Sequence, residues 1–411
     1  MRRTAGTGVA RCARPRHRDR TVGSWKFYCR FHIPPAAPLP PPTPFGLPMP
    51  PSLSLTVIMR DEEVHVPQLL ATAHLYADEI VIVDTGSTDR TKEEARKYTT
   101  SVYDFAWCDD FSAARNYGIE RCTKDFVMWL DADDVIREED ARRIRSLISQ
   151  DVRWDVVIVP YHTSHDASGR TTNLTRRERI FRNRRGFAFQ YPIHECLKYP
   201  DNAVIEIDDT INVHHFNLKR REPSNVRNLR ILTKAVEGDY RRDFRMWWLL
   251  AAEEAPEKSI LYYRKVLQEF SHLLEPSLQS EICVQFARKL ILTGRADEAL
   301  QVLGRAMVLF PLWREPFFCA GQVLWQGKRF PEALQMIQIA GSIPAPQRGI
   351  ANLDQRIYDG DEYFEWLFLA HYEMKDRAGM QRAIEAGLAR NPASPRLLEW
   401  RQTYGIPGGR G

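Results

Sequence analysis

From residue 53 onward, short runs of β-branched and other aliphatic residues alternate with longer polar stretches in which apolar residues recur at helical spacing. The first pattern is typical of strands and the second of helices. The predicted strands span residues 53–59, 79–84, 102–105, 126–131 and 155–161. The predicted helices lie near residues 66–74, 89–98, 111–122 and 138–149. Strands that alternate with helices predict an α/β domain with a mostly parallel sheet, in which ligands bind beyond the carboxyl ends of the strands.

Past residue 225 the strand pattern disappears and long helical patterns follow. The triplet Glu298-Ala299-Leu300 recurs as Glu332-Ala333-Leu334, a spacing of 34 residues, with each copy after a glycine and before a proline. This spacing is the period of tetratricopeptide repeats, which consist of helix pairs, and a weaker third copy lies near residues 383–392. We therefore expect an α/β domain at 53–225 and an all-α tetratricopeptide-like repeat domain at 226–411, with unrelated helix pairs as the alternative.

The first 52 residues have a composition that cannot build a core. They contain nine Arg or Lys against one Asp, and ten prolines crowd into residues 33–52. We predict that residues 1–52 are disordered, as a solvated tail or alternatively as a transit peptide or a tether to an anionic surface. Because this segment carries a charge of +8 and the whole chain +5, the remainder is at about −3, which argues against a nucleic-acid partner.

The cysteines and the hydrophobic runs bear on the cellular compartment. Seven scattered cysteines with no Cys-x-x-Cys pair argue against a zinc knuckle and against a disulfide framework, and favour a reducing cytoplasm. No apolar run reaches the roughly 18 residues that a membrane-spanning helix needs. A soluble cytoplasmic protein is the prediction.

Candidate chemistry is concentrated where the apolar strand at 126–131 ends, because Asp131, Asp133 and Asp134 fall within four positions. Packing three carboxylates together without a counter-charge is costly. A hard cation, Mg²⁺ or Mn²⁺, relieves the repulsion, and it would also screen the charge that develops when a nucleotide diphosphate leaves a sugar. A solvated loop or a helix cap would also explain an Asp-x-Asp, but the position at a strand end favours the metal.

A second polar turn follows the strand at 79–84. Asp84 ends this strand and can accept hydrogen bonds from a base or a ribose, while Gly86 allows close approach of the backbone. Asp89, a few residues later, is interpreted as the cap of the next helix.

These segments, with residues 54–63 and the run from Asp109 to Asn116, resemble inverting glycosyltransferase family two, which has the GT-A fold. Within that family, the pattern is similar to the subgroup with C-terminal helical repeats that includes the sublancin-type peptide S-glycosyltransferases. The resemblance extends over roughly residues 53–230 and, more weakly, over the repeats.

The resemblance implies a role for each matching donor-side residue. Asp84 would contact the nucleotide base, with Arg60 lining that pocket. Asp131 would face the ribose and Asp133 would hold the metal, with Asp134 as a reserve ligand. Arg115 would lie near the base or the diphosphate, and a surface salt bridge is the alternative for this arginine.

On the acceptor side, residues 179–183 and 190–195 resemble the subgroup's segment in which a His-Glu pair follows an aromatic strand. Glu195 is the candidate general base, because an inverting displacement needs a carboxylate on the face opposite the leaving group. His194 is assigned to the substrate with it. An exposed Glu195 paired with Lys198 or with an arginine is the alternative.

Members of the family have a histidine before an aromatic residue or a glycine further along the chain, and its neutral imidazole could complete the metal shell. His214-His215-Phe216 lies at the corresponding place, and His214 is the better match as a metal ligand. The Gly-Tyr that usually follows is absent here, so the choice between His214 and His215 stays open, with a structural histidine as the alternative.

The function predicted from these residues is that of a hexosyltransferase. It would move a sugar from a nucleotide diphosphate donor, a UDP-sugar first of all, to a peptide side chain or a saccharide. The helical half would present the acceptor or mediate a homodimer. The alternative is a non-catalytic repeat scaffold that binds a nucleotide sugar and anchors partner proteins.

Overall fold

A computed structural model describes residues 50–150, 152–165, 171–216, 224–344, 355–358 and 360–405. The described residues form two compact units, one up to Ile231 and the other from Leu232. Most of the predicted disordered segment, residues 1–49, lies outside the described residues. The domain limits at 53–225 and 226–411 stay predictions.

The first unit contains eleven strands and four complete helices within the described residues. The strands are β1 (Leu53–Met59), β2 (Glu79–Asp84), β3 (Val102–Asp104), β4 (Phe126–Asp131), β5 (Asp134–Val135), β6 (Val156–His165), β7 (Thr171–Arg182), β8 (Ala188–Gln190), β9 (Cys196–Lys198), β10 (Ile205–Ile207) and β11 (Val213–His215). The helices are α1 (Val66–Leu70), α2 (Thr91–Ala95), α3 (Phe111–Ile119) and α4 (Glu138–Ile148). A fifth helix, α5 (Ser224–Glu237), leads out of this unit.

Most strands belong to one mixed sheet with the order β3-β2-β1-β4-β7-β6-β11-β5. The first four strands are parallel, which confirms the α/β fold with a mostly parallel first half. β7 then runs antiparallel to both β4 and β6. β10 pairs with the start of β6 and β11 with its middle, at Tyr161 and His162, and β8 and β9 form a separate hairpin.

The sheet is covered on both faces. Alternate residues of β4 enter two different cores: Phe126, Met128 and Leu130 pack with α1 and α4, whereas Val127 and Trp129 pack on the other face. On that second face α3 lies close to β1, where a Cβ added to Gly118 would be 2.4 Å from Thr56 Oγ1. This close approach requires glycine and fixes α3 against the sheet.

The predicted helices near 66–74 and 89–98 are shorter in the structure. α1 ends at Leu70 and is followed by a separate 3₁₀ turn at Ala73–Leu75. α2 begins after Asp89, which accepts a hydrogen bond from the backbone N of Thr91 at 2.9 Å. The predicted strand at 102–105 ends one residue early, at Asp104.

The second unit consists of helices. They are α6 (Phe244–Glu253), α7 (Pro256–Glu269), α8 (Pro276–Leu292), α9 (Ala296–Leu309), α10 (Arg314–Gln326), α11 (Phe330–Ser342), α12 (Gln355–Tyr358), α13 (Glu362–Glu373), α14 (Arg377–Arg390) and α15 (Pro395–Thr403). Consecutive helices pack as pairs, α6 with α7, α8 with α9, α10 with α11 and α13 with α14. None of the described helices is long and apolar enough to cross a bilayer.

The Glu-Ala-Leu triplet that recurs after 34 residues corresponds to a structural repeat. Gly294 and Lys328 both have positive φ, 74° and 58°, and each lies two residues before the start of the second helix of a pair, α9 or α11. In both copies an arginine at the helix start forms an ion pair with the glutamate of the Glu-Ala-Leu triplet, Glu298 or Glu332. The expected helical-repeat architecture is therefore confirmed.

Candidate active site

The carboxyl ends of the central parallel strands bring the two candidate acidic segments to one edge of the sheet. In the β1–β2 register Met59 lies opposite Asp84, and in the β1–β4 register Ile58 lies opposite Asp131. The β2 turn is also attached to β1, because the backbone N of Thr85 donates to Met59 O at 3.0 Å. Asp84 and the acidic run after β4 are thus separated by one strand.

Asp84 is buried, with 1% of its surface exposed. Its Oδ2 accepts hydrogen bonds from the backbone N of Gly86 at 3.1 Å and of Ser87 at 3.0 Å. Gly86 has φ +105°, which suits this turn to glycine. Oδ1 has no hydrogen-bond partner among the described residues. One buried acceptor therefore remains for a ligand.

Arg60 lies on the neighbouring loop and is exposed. The next residue, Asp61, accepts a hydrogen bond from the backbone N of Thr88 at 2.7 Å, and its own N donates to Ser87 Oγ at 3.0 Å. The loops after β1 and β2 are thus held together. Arg60 extends from a structured part of this edge.

The acidic run after β4 is organised by β5 and β11. His215 pairs with Asp134 in the antiparallel register of these two short strands. His215 Nδ1 lies 3.0 Å from Asp134 Oδ1 and 3.4 Å from Asp133 Oδ1. Ligand atoms of Asp131, Asp134 and His215 all lie within 4.8 Å of one another, so these three could hold a metal ion.

The two candidate histidines have different surroundings. The ring of His214 stacks on that of His162, with centroids 4.5 Å apart and 19° between the planes, whereas His215 lies against the carboxylates. Burial disfavours the charged form of His215, but the carboxylates of Asp134, Asp133 and Asp131 outweigh burial and raise its pKa. The geometry places His215, the less favoured match in the sequence, beside the acidic run.

Arg115 connects the acidic run after β4 with the loop that carries Glu195. It extends from α3, is 6% exposed, and its Cζ lies 4.4 Å from the centroid of the Trp129 ring. Nη2 donates to Asp131 Oδ1 and Nε donates to Glu195 Oε1, both at 2.6 Å. Burial alone would raise the pKa of Asp131, but Arg115, together with Arg179, lowers it well below its usual range. Arg115 is thus a buried bridge and not a surface salt bridge.

Glu195 and His194 lie between β8 and β9. This loop contains two residues with positive φ, Tyr191 at 76° and His194 at 51°, and α3 holds it by hydrogen bonds to the carbonyls of Tyr191 and Pro192. The Glu195 side chain is 11% exposed and paired with Arg115, whereas the alternative placed it on the surface with Lys198 or an arginine. His194 is exposed on the same loop.

Two residues that the sequence did not assign also belong to this site: Tyr161 on β6 and Arg179 on β7. The Tyr161 hydroxyl donates to Asp134 Oδ1 at 3.0 Å, and Arg179 lies 3.3 Å from Asp134 Oδ2. Arg179 stands inside a segment that resembles the family, but no local pattern shows that an arginine in a charged strand faces inward.

Comparison with known proteins agrees with this geometry. Residues 54–223 match the family model of glycosyl transferase family 2. The TPR repeat-containing protein Synpcc7942_0270 of Synechococcus elongatus is 36% identical over 145 residues, which cover 35% of this chain and 35% of that protein. The SPbeta prophage-derived glycosyltransferase SunS of Bacillus subtilis is 27% identical over 171 residues, 40% of this chain and 39% of SunS.

A third relative, the 4,4'-diaponeurosporenoate glycosyltransferase of Staphylococcus haemolyticus, is 29% identical over 121 residues, which cover 27% of this chain and 32% of that enzyme. The chain therefore spans between 32% and 39% of the length of these three relatives. From the family match and the arrangement of strand-end carboxylates, we conclude that residues 54–223 belong to glycosyl transferase family 2, in a chain that continues into tetratricopeptide-like helical repeats.

Proposed function

We propose that this chain transfers a sugar from a nucleoside diphosphate donor, with a UDP-sugar as the first candidate, to a peptide side chain or a saccharide. The observation that carries the proposal is the buried Asp84 Oδ1, which has no hydrogen-bond partner in the described part of the chain, at the same sheet edge as the Asp131–Asp134 run. Such a donor needs a hydrogen-bond acceptor for its base, and it needs carboxylates that hold a cation bound to its diphosphate.

The donor would lie across this edge. Asp84 would accept a hydrogen bond from an N–H of the base, and the exposed Arg60 would line the base pocket. Asp131, further along the edge, would face the ribose. The hydrogen bonds from Gly86 and Ser87 to Asp84 Oδ2 support this role, because they hold the carboxylate in place and leave Oδ1 free to accept.

The donor set at the acidic run fits Mg²⁺ or Mn²⁺, since hard cations prefer carboxylate oxygens and Mn²⁺ also accepts an imidazole. Asp133 and His215 are the proposed ligands. Asp134 is better explained as their support, because it is fully buried and accepts hydrogen bonds from Asp131 N and the Tyr161 hydroxyl. A bound cation would stabilise the negative charge of the departing diphosphate.

Glu195 is the proposed general base. The acceptor nucleophile would form its bond to the anomeric carbon on one face while the bond to the diphosphate oxygen breaks on the other, which inverts the configuration. The acceptor's proton would pass to Glu195 and the bonding electrons would leave with the diphosphate. Arg115 would orient Glu195 relative to Asp131, and His194, on the same loop, would contact the substrate.

The helical-repeat unit is proposed to present the acceptor, since stacked helix pairs offer an extended surface suited to a peptide. A homodimer formed through this unit and a cytoplasmic location are further parts of the proposal.

The test uses the full chain with a panel of UDP-, GDP-, CDP- and dTDP-sugars, with Mn²⁺, Mg²⁺ or EDTA, and measures release of the nucleoside diphosphate. We expect release from one donor that requires the cation. NMR of the product should show inversion at the anomeric carbon. No release from any donor, together with no binding of UDP, would overturn the proposal and favour a non-catalytic scaffold.

A further inference from the structure

Arg179 on β7 is the largest fully buried side chain among the described residues. An arginine without solvent contact is costly unless its charge is compensated. Because it has no exposed surface, Arg179 cannot touch a donor or an acceptor. Arg179 must therefore act through the residues around it.

The guanidinium occupies a slot between two aromatic rings. Its Cζ lies 3.9 Å from the ring centroid of Trp129 and 4.2 Å from that of Tyr161. Trp129 belongs to β4 and Tyr161 to β6, the strands on either side of β7. Nη1 donates to the backbone O of Trp129 at 3.3 Å. A planar cation fits between two rings, and an ammonium group would not stack in the same way.

The Nη2 end of the guanidinium points toward the acidic run. Nη2 of Arg179 lies 3.3 Å from Asp134 Oδ2 and 4.0 Å from Asp131 Oδ2. Asp134 is itself fully buried, and in the described part of the chain the basic side chains within 4 Å of it are Arg179 and His215. A fully buried carboxylate is costly unless a cation lies beside it. Arg179 therefore supplies the internal charge that keeps Asp134 in place.

Asp134 in turn contacts the segments that carry the candidate ligands. Its Oδ2 accepts the backbone N–H of Asp131 at 2.9 Å, which fixes the turn that carries Asp133. Its Oδ1 lies 3.0 Å from His215 Nδ1. A carboxylate beside an imidazole fixes the ring orientation, as is common next to metal-binding histidines.

We propose that Arg179 is a positioning residue of the cation site, which holds Asp134 from inside the sheet and through it sets His215 and the Asp131–Asp133 turn. This inference rests on the proposed function, since it assumes that a divalent cation binds at the acidic run. It predicts the direction in which cation affinity changes when Arg179 is removed, and this direction is opposite to the one that charge balance alone predicts. If Arg179 only offset negative charge, its removal would strengthen cation binding; if it positions the ligands, its removal weakens binding.

The experiment measures Mn²⁺ binding by electron paramagnetic resonance and UDP binding without metal by calorimetry, on the full chain and on Arg179→Met. We expect the Mn²⁺ affinity to fall about 10- to 100-fold, while metal-free UDP binding, which depends on Asp84, changes less than about threefold. Arg182→Met is the matched control: Arg182 lies on the same strand, opposite Phe126 at the start of β4, where it pairs with Asp155 and not with the acidic run. It should keep the wild-type Mn²⁺ affinity.

Equal or tighter Mn²⁺ binding by Arg179→Met would overturn the inference while leaving the proposed function intact. Failure of the wild-type chain to bind either Mn²⁺ or UDP would instead count against the proposed function. If Arg179→Met does not unfold cooperatively, Arg179→Lys replaces it. The lysine keeps the charge but loses the stacking, so it should weaken Mn²⁺ binding at least threefold, and wild-type affinity in this variant would equally overturn the inference.

Discussion

Arg115 and Glu195 are 80 residues apart in the chain and form a buried ion pair, with Nε and Oε1 separated by 2.6 Å. The other side of the same guanidinium binds Asp131. One side chain therefore sets the distance between the proposed donor-side carboxylate and the proposed base.

Arg115→Met should uncouple these two carboxylates, because it removes the ion-pair partner of Glu195 and leaves Asp131 with the more distant Arg179. We expect the free energy of unfolding to drop by about 3–5 kcal/mol, as for other broken buried pairs, and kcat to fall about 100-fold from misplacement of Glu195. Denaturant unfolding and turnover assays measure the two effects. Arg121→Met serves as the control, since Arg121 packs on Tyr117 away from both acids. Wild-type kcat in Arg115→Met would contradict the bridging role.

Asp84→Asn should weaken UDP binding about 10- to 100-fold, because a hydrogen bond to a charged acceptor is worth about 1.5–3 kcal/mol. Calorimetry with UDP measures this directly. The matched control is Asp104→Asn, which changes the residue opposite Asp84 on the neighbouring strand β3, where the carboxylate is exposed and pairs with Lys92. Equal losses in both variants would rule out a specific contact between Asp84 and the base.

His215→Ala and His214→Ala should differ in the property that each changes. Because His215 lies beside Asp133, its removal should weaken Mn²⁺ binding about 10-fold or more. Removal of His214 should lower the melting temperature by loss of the stack on His162 and leave Mn²⁺ affinity close to that of the wild type. The opposite pattern would restore His214 as the ligand.

Gly118→Ala should destabilise the α/β unit by about 1–3 kcal/mol. The new methyl would meet Thr56 Oγ1 at 2.4 Å and Val83 Cγ2 at 3.2 Å. The double variant Gly118→Ala, Thr56→Ala should recover part of this loss. Gly304→Ala in α9 is the control, because an added Cβ has nothing within 4 Å there and alanine favours the helix. Denaturant unfolding distinguishes them, and no destabilisation by Gly118→Ala would contradict the close packing.

Because of Glu79, the free energy of unfolding should depend on pH in the acid range. Burial opposes its charged form, but hydrogen bonds from Ser54 and Thr123 outweigh burial and lower its pKa. A lowered pKa contributes stability above the unfolded-state pKa of Glu, and that contribution is lost as pH falls through the folded-state value. The stability gap between the wild type and Glu79→Gln should therefore shrink as pH falls from about 6 to 3. Melting curves across this range test it, with the exposed Glu120→Gln as a control; a constant gap would refute the linkage.

Local patterns in the sequence were enough for the parallel strands, the helical half and the acidic strand ends. Apolar runs of strand length were clear in β1, β2 and β4, which are largely buried on both faces. This pattern failed for β7, where Arg176, Arg177 and Arg182 surround the buried Arg179, so that an inward-facing cation could not be told from outward-facing ones. The short strands β5 and β11 were missed because two or three residues carry no periodicity.

The sequence by itself determined that Asp84 and Asp131 end two parallel strands and that Asp133 lies in the turn after the second of them, because strand patterns and turn residues are local. The tertiary structure decided which charges meet: Arg115 with both Asp131 and Glu195, Arg179 with Asp134, and His215, not His214, beside Asp133. Such pairings depend on strand order and on the side of the sheet each residue faces. Those are set by packing between segments that are distant in the chain, which is why no local pattern contains them.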